Sequence, residues 1–432
     1  MNAFVVRPGR ALTGHVQVSG AKNSALKLVA AALLAEGRSV VRNVPAIADM
    51  AAMGAVLEHL GVTVSRPQPD VMVLDVPAQL GAATPPALVK RLRASIVVLG
   101  PLLARNGYAR VAMPGGCNLG SRNIDLHLAG LAQLGAEVTY GADYVEARAR
   151  RLRGAEVELE FASVGATENI MLAAVLAEGV THIRNAAREP EIADLAAFLA
   201  GMGAQIEGAG SPEITVRGVT ELAPTEHRVV GDRIEAGTYA VAAAITRGAI
   251  SLTGVRPDHL RLALEKLRAA GVVVQEGDEQ LTIDAREGLR AVDVVTLPYP
   301  GFPTDLQAPL LALLSQAGGT SMVTENVYDG RFSVVAELNR MGAEIEIQGH
   351  HALVRGPRSL HGARVRATDL RAGAALVLAG LVAHGETEVR EAQHVDRGYS
   401  DFAGRLRALG ADVERVTVPA GEALAVPATM AH

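Results

Sequence analysis

The chain has 432 residues, beyond the ~250–300 at which a single hydrophobic core stops growing, so two domains are expected. Hydrophobic residues make up 49% and charged residues 20%, which excludes a disordered chain, and a net charge of −5 argues against general nucleic-acid binding. No apolar stretch reaches the ~18–20 residues of a membrane helix, residues 1–11 lack a signal core, and one cysteine excludes an intramolecular disulfide framework and a Cys-rich zinc site; a cytoplasmic protein is expected.

Taken in chain order, the predicted elements repeat. Apolar helices are predicted at 25–35, 94–104, 169–177, 236–246, 306–316 and 372–383. Each is followed by a glycine: Gly37, Gly107, Gly179, Gly248, Gly318 or Gly319, and Gly385. A short strand and a second helix come next, and the second helices end at Gly61, Gly135, Gly203, Gly271, Gly342 and Gly410, spaced by 74, 68, 68, 71 and 68 residues. A glycine just past a helix end supplies the left-handed cap, and a strand-like run such as 136–139 or 411–416 follows it. The first helix of each unit is apolar nearly all round and should be buried on every side, whereas the second, such as 260–270, has a charged face and should lie at a surface. Strands must then cover the buried helices from outside. Six units make two α/β domains of three, with a boundary near 225–231.

Counting back 14 or 15 residues from the first-helix glycines reaches Lys22, Arg93, Gly165, Arg233, Asp305 and Arg371, near the starts of the buried helices. A helix amino end carries unpaired N–H groups and partial positive charge, so cations there oppose the dipole and make sense if an anion lies between them. The competing reading is solvated termini paired with carboxylates. Arg122, Arg331 and Arg397 precede second helices; each alone reads as a surface arginine, and together they supply bidentate donors for phosphate and carboxylate. Asp305 reads equally as a helix cap or as a general base in a cationic cleft.

The loop Pro114-Gly-Gly-Cys117-Asn-Leu-Gly120 lacks the spacing of a P-loop. A lone cysteine is ordinarily a small buried residue, but flanking Gly, Asn and Arg122 place Cys117 in an exposed, cationic setting that makes a thiol reactive. The same glycines could hinge a lid. His127 is an ambiguous polar contact, His350 and His351 read as surface residues, and no set of side chains has metal-ligand spacing.

The segments Ser19-Gly-Ala-Lys-Asn23, Arg93-Ala-Ser-Ile96, Pro114-Gly-Gly-Cys117, Ser163-Val-Gly-Ala-Thr167, Arg188-Glu-Pro-Glu-Ile192, Asp232-Arg-Ile-Glu235, Phe302-Pro-Thr-Asp305, Thr368-Asp-Leu-Arg371 and Asp396-Arg-Gly-Tyr399 resemble, in order and over nearly the whole chain, those of the UDP-N-acetylglucosamine 1-carboxyvinyltransferase family of enolpyruvyl transferases. The resemblance implies two inside-out α/β barrel domains, each of three βαβαββ-like repeats with buried helices and outer sheets. It divides the chain into an N-terminal domain, 22–230, and a C-terminal domain, 1–21 plus 231–432. It also implies transfer of enolpyruvyl from phosphoenolpyruvate to the 3-hydroxyl of UDP-N-acetylglucosamine, without cofactor or metal and with no nucleic-acid, membrane or obligate protein partner.

By motif, Lys22 and Asn23 would contact phosphoenolpyruvate, Arg122 and Arg397 would lie near its anionic groups, and Arg331 and Arg371 would partner carboxylate. Cys117 would donate a proton and react with fosfomycin, and Asp305 would contact the sugar hydroxyl as base. Arg93, the run Arg122, Asn123, Ile124, Asp125 and Leu126, and Val327 would bind the nucleotide sugar. Asn123 stands where many members carry Pro, and Tyr328 where Phe is common. Phe161 and Ala162 precede Ser163, close to where some members carry a nucleotide-contacting Lys, which leaves that side of the uridine contact open. The alternatives are 3-phosphoshikimate 1-carboxyvinyltransferase, against which the Pro-Gly-Gly-Cys and Phe-Pro-Thr-Asp segments speak, and a non-catalytic nucleotide-sugar-binding paralogue.

Overall fold

The computed structural model describes residues 2–89, 92–113 and 124–419, without the side chains of Arg93 and Asp329. Its apolar residues form two separate cores. One gathers buried side chains between Ala21 and Val229; the other joins Phe4, Val6, Leu12, Val16 and Val18 to residues between Ile234 and Val413.

The buried helices lie inside these cores as their all-round apolar sequences require. Every residue of the helices Arg233–Ile245, Gln307–Leu314 and Leu370–Gly380 is buried, and the three pack against one another. Alanine at 236, 240, 242–244, 372, 374, 375 and 379 lets them approach closely. The helices Lys22–Ala31, Leu99–Asn106 and Val164–Ala174 occupy the other core. Surface helices such as Arg261–Ala269 bury only one face, through Ala263, Leu264 and Leu267.

Six small sheets enclose the helices among the described residues. In each, antiparallel strands from one unit accept a parallel strand or bridge from elsewhere in the chain. Glu156–Glu158 lies parallel to Val180–Arg184, Val294–Thr296 to Gly319–Glu325, and Arg364–Arg366 to Thr387–Arg390. The second unit has only the bridge between Ala83 and Arg110 in this role. Two pairings close the bodies over long sequence distances: Glu226–Arg228 runs parallel to Gly37–Arg42, and Thr13–Gln17 parallel to Ala249–Thr253. The first strand, Asn2–Arg7, is inserted between Thr387–Arg390 and Asp412–Thr417, where other units use their own hairpin strand.

The second-helix glycines 61, 135, 203, 271, 342 and 410 all have φ between 92° and 103°, the left-handed geometry expected of them. The first-helix glycines are less uniform. Gly319 (φ 117°) takes the left-handed position in the fifth unit, and in the fourth it is Arg247 (φ 56°). Gly248 is needed there for another reason: a Cβ would lie 2.2 Å from the Leu12 carbonyl oxygen. Three buried helices, Val164–Ala174, Arg233–Ile245 and Leu370–Gly380, start two to five residues before the predicted apolar runs because their caps set them, whereas Leu99–Asn106 and Gln307–Leu314 start five residues and one residue after theirs, behind 3-10 turns. Ser163, Asp232 and Asp369 accept backbone N–H groups one turn ahead of where the apolar pattern becomes visible. No helix among the described residues is long and apolar enough to cross a membrane.

Candidate active site

The amino ends of buried helices from both cores open onto one cavity of about 610 Å³. Lys22, Asn23, Asp125, Leu126, Asp305, Val327, Arg331, Arg371 and Arg397 all line it. Ile124 is buried just before the helix Asp125–Gln133 and does not line it. Arg93 begins the 3-10 turn Arg93–Val98, whose Ala94, Ile96 and Val97 are lining residues. Cys117, Arg122 and Asn123 fall outside the described residues.

The cations at the helix starts are paired with the chain's own carboxylates, but they are not solvated termini. Lys22 is 9% exposed and its Nζ lies 2.8 Å from Asp49 Oδ2. Arg397 Nε donates to the other oxygen, Asp49 Oδ1, at 2.9 Å. Burial acts to raise the Asp49 carboxyl, but the Lys22 ammonium and the Arg397 guanidinium outweigh it and hold it below its ordinary value. Burial pushes the Lys22 ammonium down, with Asp49 opposing and the Arg371 charge assisting.

A second carboxylate repeats the arrangement. Asp305 pairs with Arg331 and, at 3.0 Å, with Arg371 Nη2. Both guanidiniums are nearly inaccessible, and Arg371 Nε and Nη1 are buried without a hydrogen-bond partner. Asp369 positions Arg371 by capping its helix: Oδ1 accepts the Arg371 and Ala372 N–H groups at 2.8 and 3.1 Å. Glu325, 2% exposed, positions Arg331 from behind. Its oxygens accept from Thr304 Oγ1 (2.9 Å) and from the Val327 and Tyr328 N–H groups (2.8 and 3.1 Å), and Thr304 Oγ1 in turn accepts from Arg331 Nε at 3.2 Å.

The floor carries a third charged group that sequence reading reached only through Arg233. Arg233 donates to Glu191 at 3.0 Å across the two cores, and Tyr299 N–H donates to Glu189 at 3.3 Å. Lys27 bridges Glu168, at 2.7 Å, and the Asn23 carbonyl, at 3.1 Å. Burial raises the Glu168 carboxyl to about 7, with Lys27 opposing and Glu191 and Glu189 adding to the rise. Asp49, Glu168 and Glu325 are not marked in the sequence, and Glu191 is marked only as part of the Arg188-Glu-Pro-Glu-Ile192 segment; an acidic residue in a helix or strand carries no local mark of the cation that folding brings to it. Phe161 is 44% exposed at the rim of the same cavity.

Two carboxylate-bridged cation pairs, in a site largely withdrawn from water, suit a ligand with both phosphate and carboxylate groups. Among the described residues no group of three His, Cys, Asp or Glu side chains is placed to hold a metal ion.

Residues 6–406 match the family described as EPSP synthase (3-phosphoshikimate 1-carboxyvinyltransferase). UDP-N-acetylglucosamine 1-carboxyvinyltransferases of Mycobacterium bovis and Mycobacterium tuberculosis are each 55% identical over 413 residues, 96% of this chain and 99% of theirs. That of Granulibacter bethesdensis is 50% identical over 419 residues, 96% of this chain and 100% of its own. The crystal structure of the enolpyruvyl transferase NikO from Streptomyces tendae superposes with a TM-score of 0.88 at 28% identity, covering 97% of this chain and 99% of that one. EPSP synthase from Acinetobacter baumannii shares the fold, with a TM-score of 0.76 at 20% identity over 96% of this chain and 100% of its own. With more than half its residues identical over almost its full length, and with the enolpyruvyl transferase fold around a cation-lined cavity, the chain belongs to the UDP-N-acetylglucosamine 1-carboxyvinyltransferase family.

Proposed function

We propose that the protein transfers the enolpyruvyl group of phosphoenolpyruvate to the 3-hydroxyl of UDP-N-acetylglucosamine and releases phosphate, the committed step towards peptidoglycan. The observation that carries this reading is the meeting of Lys22, Asn23, Asp305, Arg331, Arg371 and Arg397, from both cores, in one cavity. In the addition step the sugar oxygen bonds to C2 of phosphoenolpyruvate while C3 takes a proton. In the elimination step the C2–O bond to phosphate breaks and C3 gives a proton up, so the hydroxyl proton leaves with phosphate or solvent.

Lys22, Arg397 and Arg122 hold the donor's phosphate, and Arg331 and Arg371 its carboxylate. The Arg371 guanidinium, lining the cavity and held by Asp305, supports an anion there as a charge-assisted donor. Asp305 takes the hydroxyl proton and Cys117 supplies one to C3. Arg93, Asn123, Ile124, Asp125, Leu126 and Val327 hold the nucleotide sugar. Domains 22–230 and 1–21 plus 231–432 are supported by core membership at all positions but Ala21, which packs in the N-terminal core, and by the pairing of Asn2–Arg7 and Thr13–Gln17 with C-terminal strands. The enzyme works in the cytoplasm, without cofactor, nucleic acid or obligate protein partner.

A phosphate-release assay run with UDP-N-acetylglucosamine and with shikimate 3-phosphate tests the reading. Turnover with the nucleotide sugar is expected. Turnover only with shikimate 3-phosphate, or nucleotide-sugar binding without turnover, overturns it. Mass spectrometry after fosfomycin should show one adduct on Cys117, and its absence removes the thiol from the mechanism.

A further inference from the structure

Asn169 sits inside the helix Val164–Ala174 with no solvent exposure, and its side chain joins two segments that border the cavity, through Ile96 and His127, to the helix Leu99–Asn106. Oδ1 accepts the Gly100 N–H at 2.8 Å, Nδ2 donates to the Ile96 carbonyl at 3.0 Å, and Nδ2 lies 2.9 Å from His127 Nδ1. Gly100 permits this approach, because a Cβ there would fall 2.5 Å from the Asn169 carbonyl oxygen.

The network settles what an amide usually leaves ambiguous. A backbone N–H only donates, so the atom facing Gly100 is the oxygen. A backbone carbonyl only accepts, so the atom facing Ile96 is the nitrogen. One Nδ2 hydrogen is thereby used on Ile96 and the other points at His127, whose Nδ1 must accept it. A neutral imidazole has one acceptor and one donor nitrogen, so the His127 proton resides on Nε2. An imidazolium would set two donors face to face in a buried place. The Nε2 edge of the ring lies against the first turn of the Asn169 helix: a Cβ on Gly165 would be 3.0 Å from Nε2.

We infer that Asn169 is a positioning residue for the nucleotide-sugar acceptor, acting by holding His127 neutral with its proton on Nε2. Through the same amide it anchors the 3-10 turn that begins at Arg93 and meets the start of the Asp125 helix, so acceptor-binding segments are set relative to one another by one side chain. The donor-binding cations Lys22, Arg331, Arg371 and Arg397 stand on other elements, and of the proposed donor cations only Arg122 precedes the His127 helix in sequence. This inference rests on the acceptor proposed above, and the loss of Asn169 should therefore act on the acceptor and spare phosphoenolpyruvate.

The test combines nitrogen-15 NMR of the histidine rings with steady-state kinetics on the full chain. His127, assigned by the signal missing in His127→Gln, should show the Nε2–H pattern in the wild type at pH 7. An Nδ1–H or imidazolium pattern overturns the inference without recourse to any further variant. Asn169→Asp, which replaces the donor by an acceptor, should move the proton to Nδ1 and raise KM for UDP-N-acetylglucosamine at least tenfold, with KM for phosphoenolpyruvate within twofold. His127→Gln, whose amide can place an N–H near Nε2, should retain more acceptor affinity than His127→Ala. Equal changes in both KM values, or no advantage of Gln over Ala, overturn it. Inactivity of the wild type with UDP-N-acetylglucosamine would instead refute the proposed function, leaving the tautomer measurement to stand alone.

Discussion

Asp49 holds together two cations that belong to different cores and would otherwise repel one another in a poorly solvated place. Asp49→Asn keeps the shape and removes the charge. Breaking a buried pair in this way costs about 3–5 kcal/mol, so the empty variant should melt several degrees lower than the wild type. A bound anion restores the missing charge. Phosphoenolpyruvate should therefore raise the melting temperature of the variant by more than that of the wild type, in thermal unfolding with and without ligand; equal shifts would show that Asp49 does not occupy the anion's electrostatic position. The two partners were unequally visible in the sequence. Lys22 and Arg397 stood out because a cation at or before a helix start opposes the local dipole and demands an explanation. Asp49, in the first turn of Ala48–His59, is where an acidic residue is favoured anyway. His127 was visible but undecided, since its role depends on Asn169, 42 residues away.

At the scale of elements, one carboxylate starts two helices. Asp232 Oδ1 accepts the Ile234 and Glu235 N–H groups of its own helix at 2.9 and 3.0 Å, and Oδ2 accepts the Lys22 N–H at 3.0 Å. The second bond crosses between the cores where Gly20 and Gly231 also bridge. Losing a cap costs about 1–2 kcal/mol and a further buried hydrogen bond about 1 kcal/mol. Asp232→Ala should thus lower stability by about 2–3 kcal/mol, and Asp232→Asn by less, since the amide oxygen still serves one helix. Urea unfolding followed by circular dichroism checks the order; equal losses in the two variants would mean that the shared cap contributes little. The helices themselves were legible because their apolar pattern and closing glycines recur at nearly constant spacing. Their starts were not, since Ser163, Asp232 and Asp369 precede the apolar run, and a cap reveals itself only once the backbone has turned. The fourth unit shows the limit of reading glycines alone: Gly248 marks a close approach to Leu12, and Arg247 makes the turn.

Across the whole molecule, the two cores meet through pairs that no local pattern announces. Arg397 reaches Asp49 over 348 positions of sequence, and Arg233 reaches Glu191 over 42. The crossing chains carry a further buried carboxyl. Glu235 accepts the Ser19 N–H at 2.7 Å and pairs with Arg405 at 2.7 Å, while Arg405 also donates to Ser19 Oγ at 2.8 Å. Burial raises Glu235 to about 7; Arg405 opposes the rise and Asp232 adds to it. Glu168 is raised to the same value by its own burial. Between the ordinary carboxyl range and pH 7, the native protein therefore binds protons at these two sites that the unfolded chain has released. The associated stability is fully present below the unfolded carboxyl value and is lost as pH rises through about 7, approaching about 1.4 kcal/mol per pH unit for each group. Asp49 has the opposite sign, since its depressed value contributes stability that disappears only as pH falls through the acidic range. The melting temperature should consequently decline from pH 5.5 to pH 8. Glu235→Gln removes one of the two titrations, and whatever it loses with the Arg405 pair, its curve should fall less steeply over that interval. Parallel curves for variant and wild type would mean that Glu235 is ionised throughout, and that the crossing between the cores is held by a permanent ion pair with Arg405.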